Sequence, residues 1–328
     1  MQVSVSDETL LRWPFWGQCS RLNMSESKID PWSEVTLIDQ ENLLDYVFQG
    51  ESWSYKDSLE VSVYCIKPAP DSLDEEAFVQ FLGEKYPYFV MPEDEVDGLN
   101  YPYREAQRRA DFDEDSRYDG KLGELVLFVL VDALLELPLV CHKLGQMQEP
   151  VQDQKGADAL FYGIHRGSES LAIGEAKIYA NLNQGIDSAL DSTERFHGAD
   201  GAAKTRHELT VARNNLSDNL EDNQTERLLD VFSSRRTQYK HLHPIFIGYE
   251  AEWLEEKQKE CSGADELKDE ITSELKNCGI QDEIRETLES DYSDLEKYDL
   301  VFLMLPLEDV DRFRERLQEE IFPHAVRH

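Results

Sequence analysis

The nine residues Leu171–Tyr179, LAIGEAKIY, constrain this chain more than any other stretch. Leu171, Ala172 and Ile173 read as a buried strand, yet Glu175 and Lys177 interrupt it. Side chains alternate along a strand, so these two charges share one face and Ala176 takes the other. Charges in such a place must be paired or must bind something. A preceding strand is predicted near 157–164, and His165–Ser168 (HRGS) holds the Gly and Ser of a hairpin turn. The hairpin brings Asp158, at the start of the first strand, beside Glu175 of the second. Two carboxylates repel unless a cation lies between them. Oxygen donors with room for water suit Mg²⁺ or Mn²⁺, and a lysine beside them can stabilise charge on a phosphate. These are the parts for hydrolysing a phosphodiester. The plain alternative is a structural ion pair at a strand edge.

The rest of the chain alternates strands and helices, which makes the class α/β. A strand is predicted over Ser58–Ile66 and a helix over Asp74–Tyr86, followed by a loop over Pro87–Pro102. A polar helix is predicted over Tyr103–Asp115, and a long apolar one over Asp119–Leu137 that Pro138 ends. On that helix Asp132 and Glu136 share a face, with Glu124 about 80° around from Asp132. After the hairpin come helices near 183–195, 202–217 and 222–236, a strand over His243–Tyr249, an apolar strand over Leu300–Leu305, and a final helix to about Glu320. The apolar strands indicate a sheet covered on both faces. Residues 1–102 read as an aromatic-rich accessory region, holding Trp13, Trp16, Trp32 and Trp53. These tryptophans form either a small core or a docking surface. Residues 103–328 read as the main domain, with an acidic helical insertion at 250–299.

Charge restricts the partners. The 328 residues carry 33 Lys and Arg against 68 Asp and Glu, a formal net charge of −35. Such a surface repels nucleic acid at long range, so any work on DNA needs a local basic patch, divalent ions or a basic partner. Arg235, Arg236 and Lys240, with Tyr239 among them, are the candidate phosphate and base contacts. Glu124, Asp132 and Glu136 interrupt the most apolar stretch, so no membrane span is expected. Five cysteines without a CxxC fit reduced thiols, and the N-terminal residues lack a signal-peptide pattern; a cytoplasmic location is expected. There is no GxxxxGK[ST], so the chain is not itself an ATPase.

Asp158 followed by Glu175-Ala176-Lys177 is similar to the D…(D/E)xK pattern of the PD-(D/E)xK nuclease superfamily. The longer run GELVLFVLVDALL (123–135), KGADALF (155–161) and LAIGEAKIY (171–179) resembles the HamA family, nuclease-like subunits of Hachiman anti-phage systems, and the related AbpA phage-defence proteins. The resemblance is strong over about 118–195 and does not place the first 100 residues. It implies a restriction-endonuclease-like mixed sheet flanked by helices, at about 118–306. It further implies a metal-dependent DNA nuclease that works with a superfamily 2 helicase. By the same resemblance Asp158 and Glu175 are metal ligands, Lys177 is the catalytic lysine and Glu124 completes the metal site. Gln184 stands where some branches have QxxxY, but position 188 is Ser here. Two other readings stay open. One is a non-catalytic subunit that binds a helicase; the other is an acidic nucleic-acid mimic built on 250–299.

Overall fold

Burial on both faces selects the strands of a six-stranded mixed sheet. They are β1 (Val47–Tyr55), β2 (Leu59–Ile66), β3 (Ala159–His165), β4 (Ser168–Tyr179), β5 (Lys240–Glu250) and β6 (Asp299–Leu307), in the order β1-β2-β6-β5-β4-β3. This is the α/β, restriction-endonuclease-like arrangement expected from the sequence. The computed structural model describes residues 32–70, 72–109, 119–140, 158–198, 220–233 and 239–323, with scattered positions from 201 to 216. The four middle strands run parallel, and each edge strand is the antiparallel hairpin partner of its neighbour. Every residue of β6 after Asp299 is buried, which accounts for its wholly apolar run.

One face is covered by α2 (Glu75–Val90), α5 (Asp119–Leu135) and α11 (Val310–Ile321). Together they enclose a core that includes Phe78, Phe128, Phe246 and Phe313. Outside this layer lie α3 (Glu93–Gly98) and α4 (Pro102–Arg109). The other face is covered by α6 (Leu182–Glu194), α7 (Asp222–Phe232), α8 (Trp253–Glu260), α9 (Ala264–Asn277) and α10 (Ile280–Asp291). The short α1 (Gln40–Leu44) precedes β1. No described helix is long and apolar enough to cross a membrane.

Several expectations change. The segment predicted as a loop over Pro87–Pro102 is largely helical: α2 runs on through Pro87 to Val90, and α3 follows. Burial of Phe89, Val90 and Met91 outweighs the hydrogen bond that Pro87 cannot donate. Pro92 then caps α3, whose first turn carries Glu93, Asp94 and Glu95 where the helix dipole favours them. Strand β2, within residues 1–102, pairs in parallel with β6. The acidic segment 250–299 is the crossover between the parallel neighbours β5 and β6. Its Leu254, Leu267, Ile271, Leu275, Ile284 and Leu288 all enter the core. Trp32 is fully buried, edge-on to Tyr162 at 4.8 Å, whereas Trp13 and Trp16 lie outside the described residues. The helix predicted over 202–217 also falls mostly outside them.

The helical-wheel reading of Asp132 is overturned. Helix α5 ends at Leu135, and Glu136 adopts a left-handed φ of 53° just beyond it, so Asp132 and Glu136 do not share a helical face. Asp132 is only 1% exposed. Its Oδ1 accepts hydrogen bonds from the backbone N–H groups of Leu37 and Ile38, both at 2.8 Å. Burial pushes the Asp132 carboxyl up to about 7, against the pull of those two donors. The unfolded chain ionises it near 3.8, so between those values unfolding releases a proton and rising pH favours unfolding. Asp132→Asn keeps one oxygen for both N–H groups and removes the titration. The stability difference between wild type and this variant is therefore expected to change across that window, by at most about 1.4 kcal/mol per pH unit. Parallel urea titrations at several pH values check this; a constant difference refutes it.

Candidate active site

The hairpin places the site. Arg166 (φ 49°) and Gly167 (φ 72°) form a two-residue turn with both residues left-handed, and His165 pairs with Ser168 across it. Such a turn matches the strand twist, and glycine supplies the second position without strain. The register then sets Ala159 opposite Gly174, with Asp158 immediately before β3. Helix α5 lies close on the other side: a Cβ at Gly174 would come within 2.8 Å of Leu127 Cδ2. Bare backbone at this point lets the apolar helix seat against the motif strand.

Asp158 is tied in from both sides. Its N–H donates to Gly174 O at 3.1 Å, and one carboxylate oxygen accepts from Ala176 N–H at 2.8 Å. Glu175 is 5% exposed and forms an ion pair with Lys177. Ser192, on α6, is buried beside the same carboxylate. Burial and the charge of Asp158 push the Glu175 carboxyl up to about 7, although Lys177 and Ser192 pull the other way. Burial pulls the Lys177 ammonium down, but Glu175 and Asp158 outweigh it and hold its pKa above the usual lysine range. The structure thus gathers Asp158, Glu175 and Lys177 into one electrostatic unit of two acids and one base. Glu175 and Lys177 look toward α6, and Ala176 packs on the α5 side, where its Cβ is 3.3 Å from the Cβ position of Gly123.

The other predicted residues that are described sit on α5, α6 and β5. Glu124 follows Gly123 on α5, which packs on the Ala176 and Ile178 side of β4. Among the described residues no three His, Cys, Asp or Glu side chains are gathered so as to hold a metal. Gln184 is exposed in the first turn of α6, about two turns from Ser192. Its backbone N–H is capped by Asn181 Oδ1 at 3.0 Å. Lys240 is exposed at the start of β5, with Asp299 at 3.7 Å. It lies five residues, or roughly 16 Å of strand, before Ile245, the cross-strand partner of Glu175. Arg235 and Arg236 lie outside the described residues.

Sequence reasoning missed Ser192, which sits in no motif and reaches Glu175 only because α6 folds back over β4. It also missed a histidine cluster. His197 Nε2 lies 2.7 Å from His243 Nε2, His197 stacks on Tyr298 at 3.6 Å, and His241 packs edge-on at 5.7 Å. Burial, together with the neighbouring histidines, holds His197 and His243 below the usual range, and burial does the same to His241. Burial disfavours the charged imidazolium here, and the rings pack the turn after α6 against β5 and Tyr298.

A comparison with curated proteins found no match. The family model named HamA matches residues 41–321, which takes in every strand of the sheet and the Asp158, Glu175 and Lys177 unit. That family is a component of Hachiman anti-phage defence. With most of its length matched, the chain belongs to the HamA family.

Proposed function

We propose that the chain is a divalent-metal-dependent DNA nuclease, the effector of its defence system, controlled by a superfamily 2 helicase. The observation that carries this reading is the convergence of Asp158, Glu175 and Lys177 on one strand pair. Their donor set fits a hard cation. Two carboxylates share a site, one of them buried and raised by its neighbour's charge, which is the environment a divalent ion relieves. Asp158 and Glu175 would hold Mg²⁺ or Mn²⁺, and the ion when bound supplies Lewis-acid polarisation of a phosphoryl oxygen. Lys177 keeps a proton on Nζ and directs it toward charge developing on the phosphate. Ser192 is buried beside Glu175, and the α5 and α6 layers exclude water from the strand on either side. The net charge of −35 opposes free encounter with DNA, so a helicase partner that engages DNA first supplies the delivery.

The test uses the full chain with its helicase partner on plasmid and linear DNA. Cleavage is expected with Mg²⁺, to fall at least about a hundredfold in EDTA, and to return with Mn²⁺. A second reading, a non-catalytic partner-binding subunit, draws on the absence of a third ligand among the described residues. It predicts chelator-insensitive helicase binding and no cleavage under any metal.

A further inference from the structure

Helix α4 is pinned on one side and open on the other. Tyr103 Oη donates to Glu320 O at 2.7 Å, Gln107 donates to Ile321 O, and Ala106 is buried, so the helix is fixed to the end of α11. Tyr101, Arg104, Glu105 and Arg108, spaced i, i+3, i+4 and i+7, form a separate stripe. With Leu99 and Asn100 they line an open cleft of about 440 Å³, within the size range of small-ligand sites. Of helices α1 to α11, α4 alone carries more bases than acids: Arg104, Arg108 and Arg109 against Glu105. That one acid is held twice, by Arg108 Nε at 2.9 Å and by Arg109 Nε at 3.1 Å. Tyr101 is 76% exposed, and no other large hydrophobic among the described residues is exposed. A basic helix, an open aromatic ring and a cleft therefore coincide in a chain of net charge −35.

We propose that this cleft binds a nucleotide unit, its base stacked on Tyr101 and its phosphate on Arg104. Stacking on an aromatic ring tolerates any base, because every base has a π-face. The planar guanidinium of Arg104 matches phosphate oxygens. Arg108 adds positive charge to the same wall, although Glu105 takes its fork. Other exposed cations also lack an ion pair among the described residues; Lys268 on α9 is one, and it lies over the ring of Phe48, which is itself buried. What sets Arg104 apart is a shared cleft with a ring left open to stacking. A free nucleotide and a nucleotide within a single strand offer the same base and phosphate. A duplex keeps its bases stacked on one another and offers only its end faces. The cleft lies outside the α2 layer, across the sheet from the face that Glu175 and Lys177 share, so the inference does not rest on the nuclease reading.

The experiment measures binding to the full chain in EDTA, so that nothing is cut. The probes are dAMP, followed by calorimetry, and a labelled oligo(dA) single strand, followed by anisotropy, with a blunt duplex as competitor. Binding of dAMP alone makes the ligand a free nucleotide; binding of the strand, with the duplex competing at least about tenfold more weakly, makes it single-stranded nucleic acid. Tyr101→Ala is expected to weaken binding about tenfold, and Tyr101→Phe, which keeps the ring, to stay within about twofold. Arg104→Ala should weaken it about fivefold and, on the strand, flatten the slope of log affinity against log salt by about 0.7 unit. Arg104→Lys should restore the slope but only part of the affinity. Lys268→Ala should leave binding as it is. These side chains are exposed, so each variant is expected to fold, and a thermal melt verifies it. The inference is overturned if neither probe binds, if the duplex binds as tightly as the strand, if Tyr101→Ala or Arg104→Ala leaves binding unchanged, or if Lys268→Ala weakens it as much as Arg104→Ala. None of these outcomes bears on cleavage by the helicase complex, so either reading can fail alone.

Discussion

Lys177→Met is expected to reduce DNA cleavage by about two to three orders of magnitude while leaving the sheet intact. Methionine keeps the length and apolar stem of the lysine and removes only the ammonium, so packing beside Glu175 is nearly conserved. The lost group is the one cation paired with Glu175 at the convergence of two carboxylates. Removing it withdraws a fixed positive charge from the developing phosphorane, an effect of the size seen when electrostatic donors are deleted from active sites. The stability cost is modest for a specific reason. Breaking a buried ion pair normally strands a charge, but burial and Asp158 already hold the Glu175 carboxyl at about 7, so it escapes by taking a proton. Without Lys177 its pKa rises further. The folded state then favours the protonated form up to a higher pH, and stability is lost as pH rises through that range. Lys177→Met should cost on the order of 1–3 kcal/mol above pH 8 and less near pH 6. Cleavage kinetics on the helicase complex and urea melts at both pH values check the two halves. A variant that still cuts at a tenth of the wild-type rate or better ends the assignment of Lys177.

The hairpin was legible because three local signals agree there: β-type apolar runs, a Gly-containing turn, and charges that break the pattern at one point. Helix α5 and strand β6 were legible by length and apolarity. What escaped the sequence depends on partners far along the chain. Strand β1 is a half-exposed edge with a register shift between Gln49 and Glu51, so its Gln, Gly and Ser carry no alternating pattern. The wheel set Asp132 beside Glu136, yet Asp132 is buried, where two N–H groups some 95 residues earlier find in it their acceptor. Pro87 reads as a stop, and the burial of Phe89 and Val90 overrides it. At the site, the backbone period told which residues of β4 share a face. It had no means of telling that α6 returns along that face with Ser192, or that α5 lies against the opposite one.

Ile271→Asp is expected to remove about 5 kcal/mol or more of stability, enough to unfold a domain of ordinary marginal stability. The α9 residues Leu267, Ile271 and Leu275 recur every four positions, and Ile271 is fully buried among β1, β2, β5 and β6 side chains. Truncating such a residue costs about 2–5 kcal/mol, and an unpaired carboxylate in its place adds a further desolvation penalty. The consequence reaches the site because this helix belongs to the crossover between β5 and β6, and Ile245 of β5 is the cross-strand neighbour of Glu175. The exposed acids of the same segment behave oppositely. Asp269→Lys and Glu286→Lys each remove negative charge from a solvated face and should move stability by no more than about 0.5 kcal/mol. This contrast separates a structural crossover from a freely held acidic arm that mimics nucleic acid, since an arm would tolerate Ile271→Asp and lose partner binding on charge reversal. Thermal melts of the three variants, with helicase pull-down of each, decide it: a melting temperature for Ile271→Asp within a degree or two of wild type would mean that the crossover does not hold the sheet together.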